Sequence, residues 1–109
     1  MCAFFCTLQI LVAKIEILFV GLSGKVRAHE YPEAPKWPVS KNIAFTPPFK
    51  KTPSITYGVS FLDSEYDDNV RAVVTSHDIT PNGFTLTLNT YANTSQWGME
   101  ASWMACPTR

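Results

Sequence analysis

Few residues in this chain could carry out chemistry, and their spacing argues against a metal centre. Four carboxylates fall in one polar segment: Asp63, Glu65, Asp67 and Asp68. Oxygen-rich segments of this kind can bind Ca²⁺, but this one lacks the full ligand spacing of a calcium loop. His29 and His77 are isolated, so neither forms a pair with zinc-ligand spacing. The sequence therefore predicts a solvated acidic loop and no metal site.

Motifs for covalent or phosphoryl chemistry are also absent from the sequence. There is no Gly-x-Ser-x-Gly, no His–Cys arrangement for nucleophilic catalysis and no glycine-rich phosphate loop. Asn93-Thr94-Ser95 matches the acceptor sequon for N-glycosylation, although a turn of small polar residues explains the tripeptide equally well. We therefore expect a protein that is not an enzyme and that needs no cofactor.

Length and charge restrict the partners further. The chain has 109 residues, enough for one domain, and its 9 Lys and Arg balance 9 Asp and Glu. Zero net charge without a basic run argues against nucleic acid, because phosphate binding needs clustered cations. A hydrophobic share of 46%, with 3 Trp, 4 Tyr and 7 Phe, excludes a wholly disordered chain.

The first 20 residues are almost entirely apolar, and all 8 Pro and all 5 Gly lie after them. We interpret residues 1–21 as a signal-like leader and residues 22–109 as the working domain, which makes the protein secreted. No cation precedes the apolar run, and Lys14 and Glu16 interrupt it. Those charges make a membrane span costly, so none is expected. A first strand or a wrongly assigned start codon are the other interpretations.

The cysteines are divided between these two segments. Cys2 and Cys6 lie in the predicted leader, and Cys106 lies near the C-terminus. Cleavage of the leader would leave Cys106 either as a free thiol or as an intermolecular link.

The remaining sequence has the pattern of short strands. Apolar and polar residues alternate around residues 55–61, 70–75, 84–89 and 99–105, which indicates strands with one buried face. Turn-forming residues separate these segments, and a proline-rich stretch at residues 31–38 excludes helix there. The predicted fold is all-β, an antiparallel β-sandwich. Phe84 and Trp103 are assigned to its core.

A series of short motifs then resembles a known family. In chain order the motifs are Ile43-x-Phe45, Pro47-Pro48-Phe49, Pro53-x-Ile55, Leu62-Asp63, Asn69-x-Arg71-x-x-Val74, Ile79-Thr80, Gly83-Phe84 and Trp103-Met104-Ala105. This series is similar to the H-type lectin domain, found in agglutinins that bind galactose and N-acetylgalactosamine and in the C-terminal part of discoidins. The resemblance covers about residues 22 to 107. It implies a sandwich of about six strands that assembles as a homotrimer or a hexamer, with sugar sites near the contacts between protomers.

The resemblance also implies a set of sugar-binding residues. The Asn-x-Arg of the family falls on Asn69 and Arg71, and the aromatic that ends the next strand falls on Tyr91. A second aromatic, in the following loop, falls on Trp97.

The chain departs from the family pattern at two places. Ala92 stands where many members have a histidine that bonds sugar. The proline-rich stretch replaces the loop that supplies an acidic residue, which leaves Glu33 as the candidate.

These residue types suit a neutral sugar, which offers hydroxyls and one apolar face. The guanidinium of Arg71 can donate to two adjacent ring oxygens, and Tyr91 and Trp97 offer flat surfaces with polar tips. The Asn69 amide can both donate and accept. A single site of this size binds weakly, so useful affinity requires several sites on one assembly.

The same residues also have structural interpretations. Arg71 could form a cross-strand ion pair, Tyr91 could pack at a strand end, and Asn69 could be a turn residue. The leading hypothesis is a multivalent lectin for glycans with terminal galactose or N-acetylgalactosamine, acting in agglutination, cell adhesion or innate recognition. The alternative is a protein-interaction module that kept the sandwich and lost sugar binding.

Overall fold

The computed structural model describes residues 21–67, 69–92 and 94–108, and this part of the chain folds as six strands without a helix. The predicted leader, Asp68 and Asn93 lie outside the described residues. In chain order the strands are β1 (Leu22–His29), β2 (Val39–Ala44), β3 (Ser54–Ser64), β4 (Val73–Thr80), β5 (Gly83–Asn89) and β6 (Gln96–Cys106). The prediction of an all-β fold is confirmed.

The strands form two three-stranded antiparallel sheets. Sheet A has the order β1-β6-β3 and sheet B the order β2-β5-β4. Alternation along the central strands determines which side chains lie between the sheets, because successive residues of a strand point to opposite faces. Leu86 and Leu88 of β5 and Met99, Ala101 and Ala105 of β6 are fully buried for this reason.

Aromatic side chains complete the core at one end of the sandwich. Phe84 is buried as predicted, and the half-buried Trp103 packs against it with ring centroids 5.3 Å apart. Phe45 contacts both rings. Gly24 lies opposite Trp103, and a Cβ there would lie 2.8 Å from indole atom Cζ2. The glycine therefore leaves room for the indole.

The alternating segments did not include β1 or β2, and the pattern was misleading at β3 and β4. β1 was not recognised, because its residues follow directly on the predicted leader. Alternation over residues 55–61 placed Phe61 on the buried face, but a register shift after Val59 pairs Phe61 with Glu100 on the outer face. An extra residue in one strand reverses all later side chains, so Leu62 instead pairs with the core residue Met99, although it stays 40% exposed at the sheet edge. The strand predicted from Val70 begins only at Val73.

Connections between the two sheets gather mostly at one end, which we call the loop end. It consists of residues 30–38 between β1 and β2, the described residues of 65–72 between β3 and β4, and those of 90–95 between β5 and β6. The opposite end, which we call the hairpin end, consists of residues 45–53 and the turn at 81–82.

Two further observations concern the sequence interpretation. Cys106 is buried and disulfide-bonded in the full-length chain. The free thiol and the intermolecular link were predicted for a chain without its leader, and they stay predictions. In the described part of the chain, no helix has the length and hydropathy needed to span a membrane.

Candidate functional site

Arg71 and Tyr91 meet at the loop end because the two strands beside them pair. Arg71 lies two residues before β4 and Tyr91 two residues after β5, and the pairing of Val73 with Asn89 brings these flanks together. The guanidinium carbon of Arg71 lies 5.7 Å from the centroid of the Tyr91 ring, within the range of a cation–π contact. The structure thus joins two of the predicted sugar-binding residues.

Arg71 is held at both ends. Its Nη1 donates a hydrogen bond of 2.7 Å to Oγ1 of Thr94, and its backbone carbonyl accepts one of 2.6 Å from Oγ1 of Thr90. Tyr91 remains 57% exposed. Within the described residues, the hydrogen bond to Thr94 uses one of the five N–H donors of the guanidinium. The pair therefore offers an aromatic surface beside donors that a ligand can use.

Trp97 belongs to a different aromatic pair. The sequence placed it in a loop, but it is the second residue of β6 and is half-buried. Its ring meets that of the exposed Tyr31 edge to face, with centroids 5.2 Å apart. The backbone N–H of Glu30 donates to the carbonyl of Trp97 at 3.0 Å, which fixes the first residues of the β1–β2 loop beside β6. Trp97 is at the loop end, but its described ring contact is with Tyr31.

Asn69, Glu33 and Ala92 are all exposed at the loop end. Asn69 precedes Arg71 by two residues, and Glu33 lies in the β1–β2 loop beyond Tyr31. Among the described residues no contact of Glu33 or Trp97 with Arg71 is seen. Ala92 has a φ of 58°, a left-handed conformation that is unusual for a residue with a Cβ. Five predicted residues thus share one end, and among them the described contacts join Arg71 with Tyr91.

The sequence analysis did not single out Gln96, which connects several segments of the loop end. Its side chain is fully buried and lies among polar backbone atoms. Oε1 accepts a hydrogen bond of 2.7 Å from Ser64, and Nε2 donates to the carbonyls of Asp63 and Gly98 at 3.2 and 2.7 Å. The Gln96 carbonyl in turn accepts from the indole N–H of Trp37 at 3.1 Å. Nothing in the sequence pattern distinguishes such a glutamine from one in a turn.

Thr94 and Tyr31 were also not chosen from the sequence. Thr94 appeared there only as the middle residue of the sequon, yet it holds the Arg71 head group. Tyr31 appeared only within the proline-rich stretch. Both contacts depend on loop conformation, which alternation does not encode.

The outer face of sheet A carries a separate charged network. Ser60 donates a hydrogen bond of 2.8 Å to the Glu100 carboxylate, and Lys25 and Arg27 lie 3.9 and 3.6 Å from it. The hydrogen bond from Ser60 and, to a lesser extent, the two cations lower the pKa of Glu100, against the opposing effect of desolvation. Arg27 also lies over the Phe61 ring, with 4.1 Å from Cζ to the centroid. Lys25, Arg27 and Glu100 on this face therefore interact mainly with one another.

Comparison with known proteins identifies the family of this chain. The family profile of the H-type lectin domain matches residues 40–106, which is more than half of the chain. The chain belongs to the H-type lectin domain family. The resemblance drawn from its motifs is therefore confirmed, and carbohydrate binding is the general function that the family supports.

Two relatives show how similar this H-type lectin domain is to known proteins in sequence and in structure. A protein of Fuscovulum blasticum, described as ATP synthase subunits region ORF 7, is 33% identical over 64 residues, which are 59% of this chain and 56% of that protein. The structure of discoidin II of Dictyostelium discoideum superposes with a TM-score of 0.68 at 20% identity, over 82% of this chain and 37% of that one. The second likeness shows a shared fold. This chain thus spans about half of the first relative and about a third of the second.

Proposed function

We propose that this domain binds terminal galactose or N-acetylgalactosamine at the loop end, without catalysis. The observation that carries the proposal is the Arg71 guanidinium held over the Tyr91 ring by Thr94, in a chain of the H-type lectin domain family. A hydroxyl pair of the sugar accepts from Arg71, and an apolar C–H face lies on Tyr91. Both interactions are available without rearranging the strands.

The other predicted residues line the same end and have supporting roles in this proposal. Asn69 adds an amide beside Arg71, and Glu33 offers an acceptor from the β1–β2 loop. Trp97, with Tyr31 against it, supplies a second aromatic surface at the loop end. The zero net charge of the chain fits a neutral ligand that needs no long-range electrostatic attraction.

We further propose that several copies assemble, as a homotrimer or a hexamer. Three apolar residues of β3, namely Tyr57, Val59 and Leu62, pair with core residues of β6 but are 37%, 43% and 40% exposed. β3 is an edge strand of sheet A, and β4 beside it is an edge strand of sheet B. Exposed apolar edges of this kind are usually covered. A second copy covering them brings several weak sugar sites into one particle, where avidity adds a factor of about 10² to 10⁴.

Such a particle is suited to agglutination, cell adhesion or innate recognition outside the cell, and we propose secretion on that basis. The predicted leader is consistent with this proposal but lies outside the described residues.

The sugar proposal is tested by glycan binding of Arg71 variants. We expect the unmodified protein to bind terminal galactose or N-acetylgalactosamine on a glycan array, and Arg71→Ala to lower the affinity at least tenfold. Arg71→Lys keeps the charge but loses the planar fork, so it should recover only part of the binding. Thr75→Ala, on the exposed face of β4, is the matched control and should bind normally. Absence of binding to either sugar by a fully assembled protein would refute the proposal.

The assembly proposal is tested separately by mass. Val59→Asp introduces a charge on the exposed edge and should convert the assembly to monomers in light scattering after gel filtration. Ser23→Asp introduces the same charge at an exposed position of β1, the opposite edge of sheet A, and should leave the mass unchanged. A monomeric unmodified protein at micromolar concentration would contradict the proposal.

A second candidate function is a protein-interaction module that has lost sugar binding. Ala92 favours it, because a methyl group replaces a hydrogen-bonding side chain beside Tyr91. Histidine tolerates left-handed backbone better than most residues, so Ala92→His is compatible with the φ of 58°. If Arg71→Ala changes no measurable ligand binding and Ala92→His creates sugar binding, the interaction module is the better account.

A further inference from the structure

A shallow cavity of about 300 Å³ lies at the hairpin end, opposite the loop end. It is lined by residues of three strands and of the turn between β4 and β5, among them Asn42, Asp78, Asn82, Gly83 and Thr85. Its volume is at the lower end of the range for small-molecule pockets. β4 separates the cavity from Arg71, so the proposed sugar site shares no residue with it.

A bulge in β4 places Asp78 at this cavity. His77 pairs with Thr85 and Thr80 pairs with Gly83, so two residues of β4 oppose the single residue Phe84. Asp78 takes a φ of 56° within this bulge, a left-handed conformation that is unfavourable for a residue with a Cβ and that aspartate tolerates better than most. Bulges of this kind change the direction of a side chain and are common beside binding sites.

The surrounding backbone is fixed before any ligand binds. The backbone N–H of Phe45 donates to the carbonyl of Asn82 at 2.8 Å, and that of Phe49 donates to Pro81 at 2.9 Å. Thr80 accepts from the backbone N–H of Asn82 at 3.1 Å. These bonds tie the turn to the β2–β3 loop, so the cavity is a preformed feature of the hairpin end.

Some polar groups of the cavity form hydrogen bonds within the protein, and others have hydrogen-bonding capacity left for a ligand. Oγ1 of Thr85 donates to Oδ1 of Asn42 at 2.9 Å, which leaves the Asn42 amide N–H groups to donate elsewhere. Asp78 is exposed, and among the described residues its carboxylate has no hydrogen bond or ion pair. Asp78 is also the one carboxylate among the lining residues, and the described chain contains no cluster of three metal-ligating side chains. A carboxylate acceptor beside an amide donor matches vicinal hydroxyls better than it matches an anion or a metal ion.

We propose that this cavity is a second ligand site, which takes one hydroxylated ring of a glycan. Asp78 accepts hydrogen bonds from two adjacent hydroxyls, and the Asn42 amide donates to a ring or hydroxyl oxygen. Gly83 contributes backbone to the lining of the cavity. With sites at opposite ends of the sandwich, one protomer contacts two separate sugar residues. The proposal is independent of sugar binding at Arg71.

The test is an NMR titration of ¹⁵N-labelled protein with four probes, each added alone: galactose, N-acetylgalactosamine, glucose and mannose. At least one should shift the amides of Asp78, Gly83 and Thr85 in a saturable manner. Asp78→Asn keeps a residue type that tolerates left-handed backbone. It should lower the sugar affinity obtained from those shifts at least tenfold. It should leave any shifts of Tyr91 and Trp97 unchanged.

Controls separate this site from the proposed one at the loop end. Arg71→Ala should abolish the sugar-induced shifts at Tyr91 and preserve those at Asp78. The two sites can therefore be tested independently of each other. Asn42→Ala provides a second variant, away from the unusual backbone. No shift at the hairpin end at sugar concentrations on the order of 50 mM would overturn the proposal. Shifts there with calcium chloride but with none of the four sugars would also overturn it, since they indicate a cation contact.

Discussion

Replacing Gln96 tests whether one buried amide holds the loop end together. Gln96→Ala removes three side-chain hydrogen bonds, those with Ser64 and with the carbonyls of Asp63 and Gly98. At about 1 kcal/mol for each, and with some of the partners regaining water, the expected loss is about 2 to 4 kcal/mol of the free energy of unfolding. Urea unfolding followed by tryptophan fluorescence measures this loss, provided that the slope with urea stays the same.

A nearly isosteric variant identifies the cause. Gln96→Glu keeps the acceptor for Ser64 but replaces the amide donor with an oxygen that faces two carbonyls. It should destabilise the protein at neutral pH, and the loss should shrink in acid, where a protonated carboxyl can donate again. Ser40→Ala removes an exposed hydrogen bond to Thr87 and should cost at most about 0.5 kcal/mol. If Gln96→Ala costs no more than Ser40→Ala, the reasoning is refuted.

Three other perturbations concern the rest of the sandwich. Leu86→Ala empties a fully buried position and should cost about 2 to 5 kcal/mol in urea unfolding, whereas an unchanged midpoint would mean that the core is loosely packed. Gly83→Ala places a Cβ against the carbonyl oxygen of Ile43, so its melting temperature should fall clearly below that of the unmodified protein in calorimetry. Because the folded state lowers the pKa of Glu100, chiefly through Ser60, ionised Glu100 stabilises the fold above the ordinary glutamate pKa, and this contribution disappears as pH falls through the lowered value. Glu100→Gln should therefore flatten the dependence of the urea midpoint on acid pH, and an unchanged slope between about pH 5 and pH 2 would contradict this assignment.

The sandwich was predictable because its central strands alternate cleanly. Leu86 and Leu88 are spaced for one buried face, and pairing on both sides keeps that face inside. The sequences of edge strands predict the buried face less well, since a strand that pairs on one side only can accommodate a register shift. Phe61 illustrates this, because a single register shift in β3 moved it from the predicted core to a position under Arg27.

The site was predictable only in part, for a related reason. Arg71 and Tyr91 flank paired strands, so the register that brings them together is a property of the fold. The position of Glu33 depends on the path of the β1–β2 loop, and that of Trp97 on where β6 begins, and hydrophobic patterns determine neither. Gln96 has no pattern of its own, since its importance comes from carbonyls that only the folded chain brings near it.

The pairing of Leu22 with Ala105 has a practical consequence. It means that β1 begins and β6 ends side by side, at the hairpin end. Any polypeptide joined before Leu22 or after Cys106 therefore leaves from the side away from Arg71 and Tyr91. A tag or tether placed there orients immobilised molecules with their loop ends toward solution. Such a support would display the Arg71 face and shield the Asp78 cavity.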